Sequence, residues 1–335
     1  MRVTVVPPGE LGDTEADLWA RFQRSAPDAA SPFLSLTFTQ VVGRHRGAAR
    51  VAVIEDGGTI TAFLPFERAG TGPALPVGHP MNNLQGFVSS GAPLDARQVI
   101  RQAGLRGWRF DNVRAAGDVL RPHHYAGTQV RCPVVDLSGG YPAYASSLSK
   151  SLTSEIARRR RALGRQAGPV TLTWDSATPE DDLRRLVDWK SGKYDGTRQL
   201  FADPTAWAIV TELAGSASAD CAGTVGVLAA GGQPFAVALW LAGPHELAAW
   251  FAAYDPGFRR SSPGTMILLL TAEEAASRGL AHIDLGGGQD EYKFRLANSS
   301  YPVAGGAVWA YRAEEAARRA YRRFAHRQPT LTTTG

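Results

Sequence analysis

Two cysteines, Cys132 and Cys221, are all that 335 residues contain. That excludes a disulfide framework and a zinc site built on thiolates, and it fits a reducing cytoplasm. Lysine is nearly as scarce. Lys150, Lys190, Lys193 and Lys293 are the only four, and arginine supplies the rest of the 36 basic residues. Lysine and arginine differ in geometry and in how readily burial shifts them, so each retained lysine draws attention. No apolar run approaches the ~18 residues of a membrane span. The N-terminal MRVTVVPPGELGD lacks the long apolar region of a secretory signal, so a cytoplasmic chain is expected. His79, His123, His124, His245 and His282 show no ligand spacing, and no metal is expected. No Gly-Lys-Ser/Thr phosphate loop occurs. Gly286-Gly287-Gly288 follows a strand pattern but opens no helix, which excludes a dinucleotide fingerprint.

What is present is ordinary for a globular protein of two domains: 44% hydrophobic and 20% charged residues, with a net charge of +5. Strands are expected over 1–7, 49–55, 59–68, 108–113, 130–137, 171–174, 223–230, 235–241, 247–253, 281–285 and 305–311. Asp56-Gly57-Gly58 and Gly231-Gly232 read as tight hairpin turns. Helices are expected over 14–25, 37–44, 95–104, 143–165, 179–192, 203–214, 263–278 and 314–327, and a tail over 329–335. The arginines of 157–161 offer a polyanion site or, more simply, a solvated helix face. The order suggests a duplicated α+β unit.

The chemistry concentrates between Ala248 and Ala297. A strand leads into Arg259-Arg260-Ser261-Ser262-Pro263-Gly264-Thr265, and a helix follows. Pro263 suits the first helical turn, where its missing N–H costs nothing. The free amides of that turn and the positive end of the helix dipole face an anion there.

The full phrase is more specific than the loop. Tyr254-Asp255-Pro256, Arg259-Arg260, Ser262-Pro263-Gly264, Ile283-Asp284-Leu285-Gly286 and Glu291-Tyr292-Lys293-Phe294-Arg295 stand in an order that resembles the CelD/BcsL-type acetyltransferases. These form a branch of the GNAT acyltransferases related to the FemABX peptidyltransferases. Pro32-Phe33 and Asn82-Asn83-Leu84-Gln85-Gly86 fit the same pattern, although relatives often carry Asp-Tyr at the positions of Asn83 and Leu84. The resemblance implies an α+β fold of two tandem GNAT-like domains with mostly antiparallel sheets flanked by helices. We place these at 1–142 and 143–328, with the donor site in the second.

It also implies an acyl-CoA co-substrate and transfer of the acyl group to an amine or hydroxyl of a small molecule or saccharide. Arg259, Arg260, Ser261, Ser262, Gly264 and Thr265 are then the donor-binding residues. Asp284, Asp290 or Glu291 is the candidate base, Tyr292 the candidate acid for the thiolate, and Lys293 a member of the same centre. Lys190, Tyr194, Asn83, Gln85 and Arg295 are the candidate acceptor-binding residues; Lys190 and Tyr194 lie one helical turn apart. Each has a plainer reading. Asp284 also suits a turn cap, Tyr292 and Phe294 suit a half-buried strand, and Lys190 and Lys193 suit a helix C-terminus. Two other functions stay open: a FemABX-like transferase using aminoacyl-tRNA, and a non-catalytic GNAT-like binding protein in polysaccharide assembly.

Overall fold

The computed structural model describes residues 1–25, 30–68, 70–115, 119–121, 124–125, 129–287 and 291–316. The candidate Asp290, the loop residues Gly288 and His123, and most of the expected terminal helix and tail lie outside them.

The chain begins with strand β1 (Arg2–Val6), helix α1 (Asp13–Ser25) and helix α2 (Leu36–His45). Strands β2 (Ala49–Asp56) and β3 (Thr59–Glu67) form a hairpin, followed by the short β4 (Leu75–Pro76) and β5 (Val88–Ser89). Helix α3 (Ala96–Gln102), β6 (Gly107–Arg114) and β7 (Val130–Asp136) follow. The single helix expected over 143–165 is instead two, α4 (Gly140–Ser147) and α5 (Lys150–Ala167). Ser149 breaks them: its hydroxyl accepts from the Leu152 amide and restarts the helix.

Strand β8 (Val170–Thr173), helices α6 (Pro179–Ser191), α7 (Asp195–Phe201) and α8 (Pro204–Ala214), and the short β9 (Ala217–Ser218) come next. Helix α7 was not expected, because Gly196 and Thr197 obscure its pattern. The meander β10 (Cys221–Ala230), β11 (Gln233–Ala242) and β12 (Glu246–Tyr254) leads to α9 (Pro263–Ser277), β13 (His282–Asp284), α10 (Glu291–Leu296) and β14 (Ser299–Trp309). The strand reading of 291–296 is thereby corrected. A turn of helix puts Tyr292 and Phe294 at 44% and 39% exposure rather than in a core.

Strands β1-β2-β3-β4 form one sheet, with β5 also on β3. The larger sheet runs β6-β14-β7-β13-β12-β11-β10-β8, with β9 on β10. The halves are interleaved: β14 lies between β6 and β7, and β7 lies against β13. Strands β6 and β7, which precede residue 142, are thus hydrogen-bonded into the larger sheet. Backbone bonds from Ala74 to Gly107 and from Gln85 to Asn112 join the smaller sheet to β6.

Packing seals the seam. Trp19, Phe33, Phe38 and Phe63 of the first half share one buried cluster with Leu186, Ile209, Leu239 and Trp250 of the second. Trp250 meets Phe33 and Phe38 edge-on at centroid distances of 5.8 and 6.2 Å. On the opposite face of the large sheet, α4, α5 and α9 cover Leu228, Ala236, Leu247 and Ile283. Helix α8 crosses β10 so closely that a Cβ on Gly223 would lie 2.1 Å from the Leu213 carbonyl oxygen and 2.5 Å from the Ala214 Cα. Backbone cannot yield as a side chain does. Gly223→Ala should therefore destabilise the fold by about 3 kcal/mol or more, read as a lowered midpoint in urea unfolding followed by circular dichroism.

Candidate functional site

The one parallel pairing between named strands is β12 with β13. It ends at Ala248 opposite Asp284. Beyond that point β12 continues to Tyr254, paired with β11 alone, while the other chain turns away through Leu285 and Gly286. The two strands therefore splay, leaving one edge of β12 without a strand partner. Trp250 is an extra residue at this place. Leu239 faces Phe251 and Trp240 faces Ala249, so β12 bulges where the gap opens.

Three groups of expected site residues are arranged along β12. At the apex of the gap, the Asn83 side chain donates to the Ala249 carbonyl at 2.5 Å. Further along, the Lys190 ammonium donates to the Ala252 carbonyl at 3.3 Å and lies 5.3 Å from the centre of the Tyr194 ring. Lys193 approaches the same ring at 4.9 Å. At the far end, Asp255 caps the turn Pro256–Ser261 by accepting from the Gly257 amide at 2.8 Å. This turn carries Arg259 and Arg260, both exposed, and Ser261.

Ser262 then adopts a left-handed conformation, φ 53° and ψ 53°, and α9 starts at Pro263. The Ser262 side chain does not cap the helix. Its hydroxyl instead accepts from Arg159, which also holds the Arg260 carbonyl at 2.9 Å and pairs with Glu155. The arginine block of α5 is thus not wholly a solvated face, because Arg159 clamps the loop. The first-turn residues Gly264 and Thr265 are half-buried, and a Cβ on Gly264 would meet nothing within 4 Å. An uncapped helix start beside two exposed arginines is suited to an anion.

Asp284 lies beneath the apex and is 3% exposed. It accepts from the Gly286 amide at 2.8 Å, from the Cys132 thiol at 3.1 Å and from the Tyr301 hydroxyl. Burial, and then the Asp284 charge, push both the thiol and the phenol well above their ordinary pKa, so each keeps its proton and donates. The Arg114 guanidinium stacks on the Tyr301 ring at 3.8 Å and reaches Glu246 at 3.7 Å. Burial first, then the neighbouring Asp284, raise the Glu246 pKa to about 8. The Asp284 carboxylate thus fixes the Gly286 turn, as the turn-cap reading of it has it. At that turn the Lys293 ammonium donates to the Gly287 carbonyl at 3.3 Å.

Gln85 is not at the gap surface. It is 3% exposed, and its amide bonds to Asp111 and to Asn82 at 3.1 Å while accepting from the Asp111 and Asn112 amides. It braces Asn82, the neighbour of Asn83. Glu291, Tyr292 and Arg295 are exposed on α10. A cavity of about 750 Å³ between α3 and residues 312–316 is bordered by none of the expected site residues. Among the described residues no group of three or more His, Cys, Asp or Glu side chains is placed to hold a metal ion, and no helix is long and apolar enough to cross a membrane.

Arg114, Cys132, Glu246 and Tyr301 were not read as site residues from sequence, and Arg159 was read only as one of an arginine block. Glu246 alone carried a signal, a carboxylate at the head of the apolar run Leu247–Tyr254. The others become polar neighbours only through strand order.

Comparison with known proteins agrees with this geometry. Residues 150–294, which contain α5, the meander, the splay and α9, match the acetyltransferase (GNAT) domain family model. The fold is shared with FemX at a TM-score of 0.60 and 10% identity, over 95% of this chain and 99% of that one. A DUF2156 domain from Agrobacterium fabrum gives 0.54 and 15%, over 90% and 96%. A conserved protein of unknown function from Bacteroides thetaiotaomicron gives 0.53 and 12%, over 89% and 98%. No curated protein matches the chain in sequence. The architecture is α+β, with mostly antiparallel sheets flanked by helices, and the matched domain is of the kind that supports acyl transfer.

Proposed function

We propose that the protein is a cytoplasmic acyl-CoA-dependent acyltransferase of the CelD/BcsL type. It moves an acetyl or longer acyl group to an amine or hydroxyl of a small-molecule or saccharide acceptor. The observation that carries this reading is the alignment of the β12/β13 splay with the uncapped start of α9. The donor's pyrophosphate lies on the Gly264 and Thr265 amides, with Arg259 and Arg260 beside it. Its amide-bearing arm runs along the edge of β12 that lacks a strand partner beyond Ala248, which offers backbone groups to amides. The thioester then reaches the apex near Ala249 and Gly286.

The acceptor enters from the seam, past Lys190 and Tyr194. Such chemistry asks chiefly for positioning and for stabilisation of an oxyanion. Asp284, closed in by three donors, acts by holding the Gly286 turn, whose Gly287 carbonyl accepts from Lys293. Glu291 is the free carboxylate available for the ammonium proton, with Tyr292 beside it for the departing thiolate.

Acetyl-CoA, longer acyl-CoAs and bulk aminoacyl-tRNA should be compared by thermal shift and calorimetry. An acyl-CoA at 100 times its Kd should stabilise the protein by about 2.7 kcal/mol. No shift with any acyl-CoA would overturn the reading. Salt-dependent binding of aminoacyl-tRNA in its place would favour the FemABX-like alternative, in which the exposed arginines of α5 contact phosphates. Binding of neither would favour a non-catalytic role.

A further inference from the structure

We infer that Asn83, a residue of the first half, is a catalytic residue of the donor site: its side-chain N–H hydrogen-bonds the carbonyl oxygen of the bound thioester. The inference rests on the donor assignment above.

Asn83 stands where the strands part. Its amide nitrogen is bonded to Ala249 on β12 and lies 3.0 Å from the position a Cβ would take on Gly286. It therefore spans the apex from one splayed strand to the other. The Ala249 carbonyl is its one hydrogen-bond partner among the described residues. That bond uses one of the two amide protons and fixes the plane of the group, leaving the second N–H for a ligand.

The base under Asn83 is rigid. Trp250 donates to the Met81 carbonyl at 2.8 Å, Asn82 donates to Val77 at 2.8 Å, and Gln85 is locked to β6. An oriented donor on a rigid support, half-buried at a gap, is what a developing oxyanion requires. Gly286, at φ 72°, carries no side chain that would fill the same space.

In the reaction the acceptor nitrogen's lone pair attacks the thioester carbon, and the C=O π pair moves onto oxygen, where the Asn83 N–H holds it. Collapse of the tetrahedral intermediate re-forms the carbonyl and breaks the C–S bond. The ammonium proton passes, by way of the base, to the thiolate, giving an amide and free coenzyme A. The oxyanion donor thus comes from the first half and is held in place by Ala249 of the second.

The test needs no acceptor. Acetyl-CoA labelled with ¹³C at the thioester carbonyl is bound to the full chain, and the infrared band of that carbonyl is recorded with the Kd. In the wild-type protein the band should move to lower frequency than in buffer, since a hydrogen bond weakens the C=O. Asn83→Ala and the isosteric Asn83→Asp, which presents no N–H, should lose most of that displacement while Kd changes less than about threefold. A band that stays displaced in both variants, or one not displaced in the wild type with donor bound, overturns the role. Absence of acetyl-CoA binding to the wild type is a separate result: it overturns the donor assignment itself, and this role with it.

Discussion

Gly264→Glu is expected to abolish donor binding while leaving the protein folded. The position tolerates a side chain sterically, because a Cβ there meets no atom within 4 Å. A glutamate in the first turn of a helix also complements the helix dipole, so α9 should form at least as readily. Its carboxylate would nevertheless stand beside the donor's pyrophosphate. At an effective dielectric constant of about 20, two like charges about 4 Å apart repel by about 4 kcal/mol. We expect Kd for acetyl-CoA to rise by about 100-fold or more in calorimetry, with an unchanged circular dichroism spectrum and midpoint. Retained affinity in the folded variant would move the donor away from the start of α9. Asn83 meets β12 at Ala249, so the carbonyl-band experiment probes a different part of the same bound donor.

Glu246→Gln should flatten the dependence of stability on pH and raise stability in alkali. Glu246 is 7% exposed and faces Arg114, Asp284 and the Ser31 hydroxyl. Burial and the Asp284 charge raise its pKa from 4.5 to about 8. The folded protein therefore holds a proton that the unfolded chain has released. The stabilisation is fully present below the unfolded value and is lost as pH rises through about 8. The slope cannot exceed about 1.4 kcal/mol per pH unit for one proton. Glutamine copies the protonated form. Urea midpoints from pH 5 to 9 should fall in the wild type and stay nearly level, from this group, in the variant. Parallel curves would show that Glu246 ionises freely.

The pairing of Glu246 with Arg114 also explains why so polar a group persists in the seam. Arg114 is already committed to the Tyr301 ring, and Asp284 to three donors. Two carboxyl groups and one guanidinium in a buried place are neutral only when one acid keeps its proton, and Glu246 is the one without a full set of donors.

Several features were legible in the residues alone. Alternating apolar residues and paired glycines marked the β2–β3 and β10–β11 hairpins, since two-residue turns need positive φ and glycine supplies it. Ser262-Pro263-Gly264 marked the start of α9, because proline there fits the first turn. Lys190 and Tyr194 were read as one helical turn apart; they are neighbours, although α6 ends at Ser191 and Tyr194 follows it in an extended conformation. These are local properties, set by backbone sterics and by contacts within a few residues.

The sequence by itself thus determined most of the longer elements, the hairpins and the helix start at Pro263. The tertiary structure decided what stands around them. Strand β14 lies between β6 and β7, and only the strand order brings Cys132 and Tyr301 to Asp284 and Arg114 onto the Tyr301 ring. Asn83 reaches Ala249 across 166 positions of chain. The reason is physical: strand order and long-range contact follow from how separate apolar faces are buried together, and no local periodicity records which faces those will be.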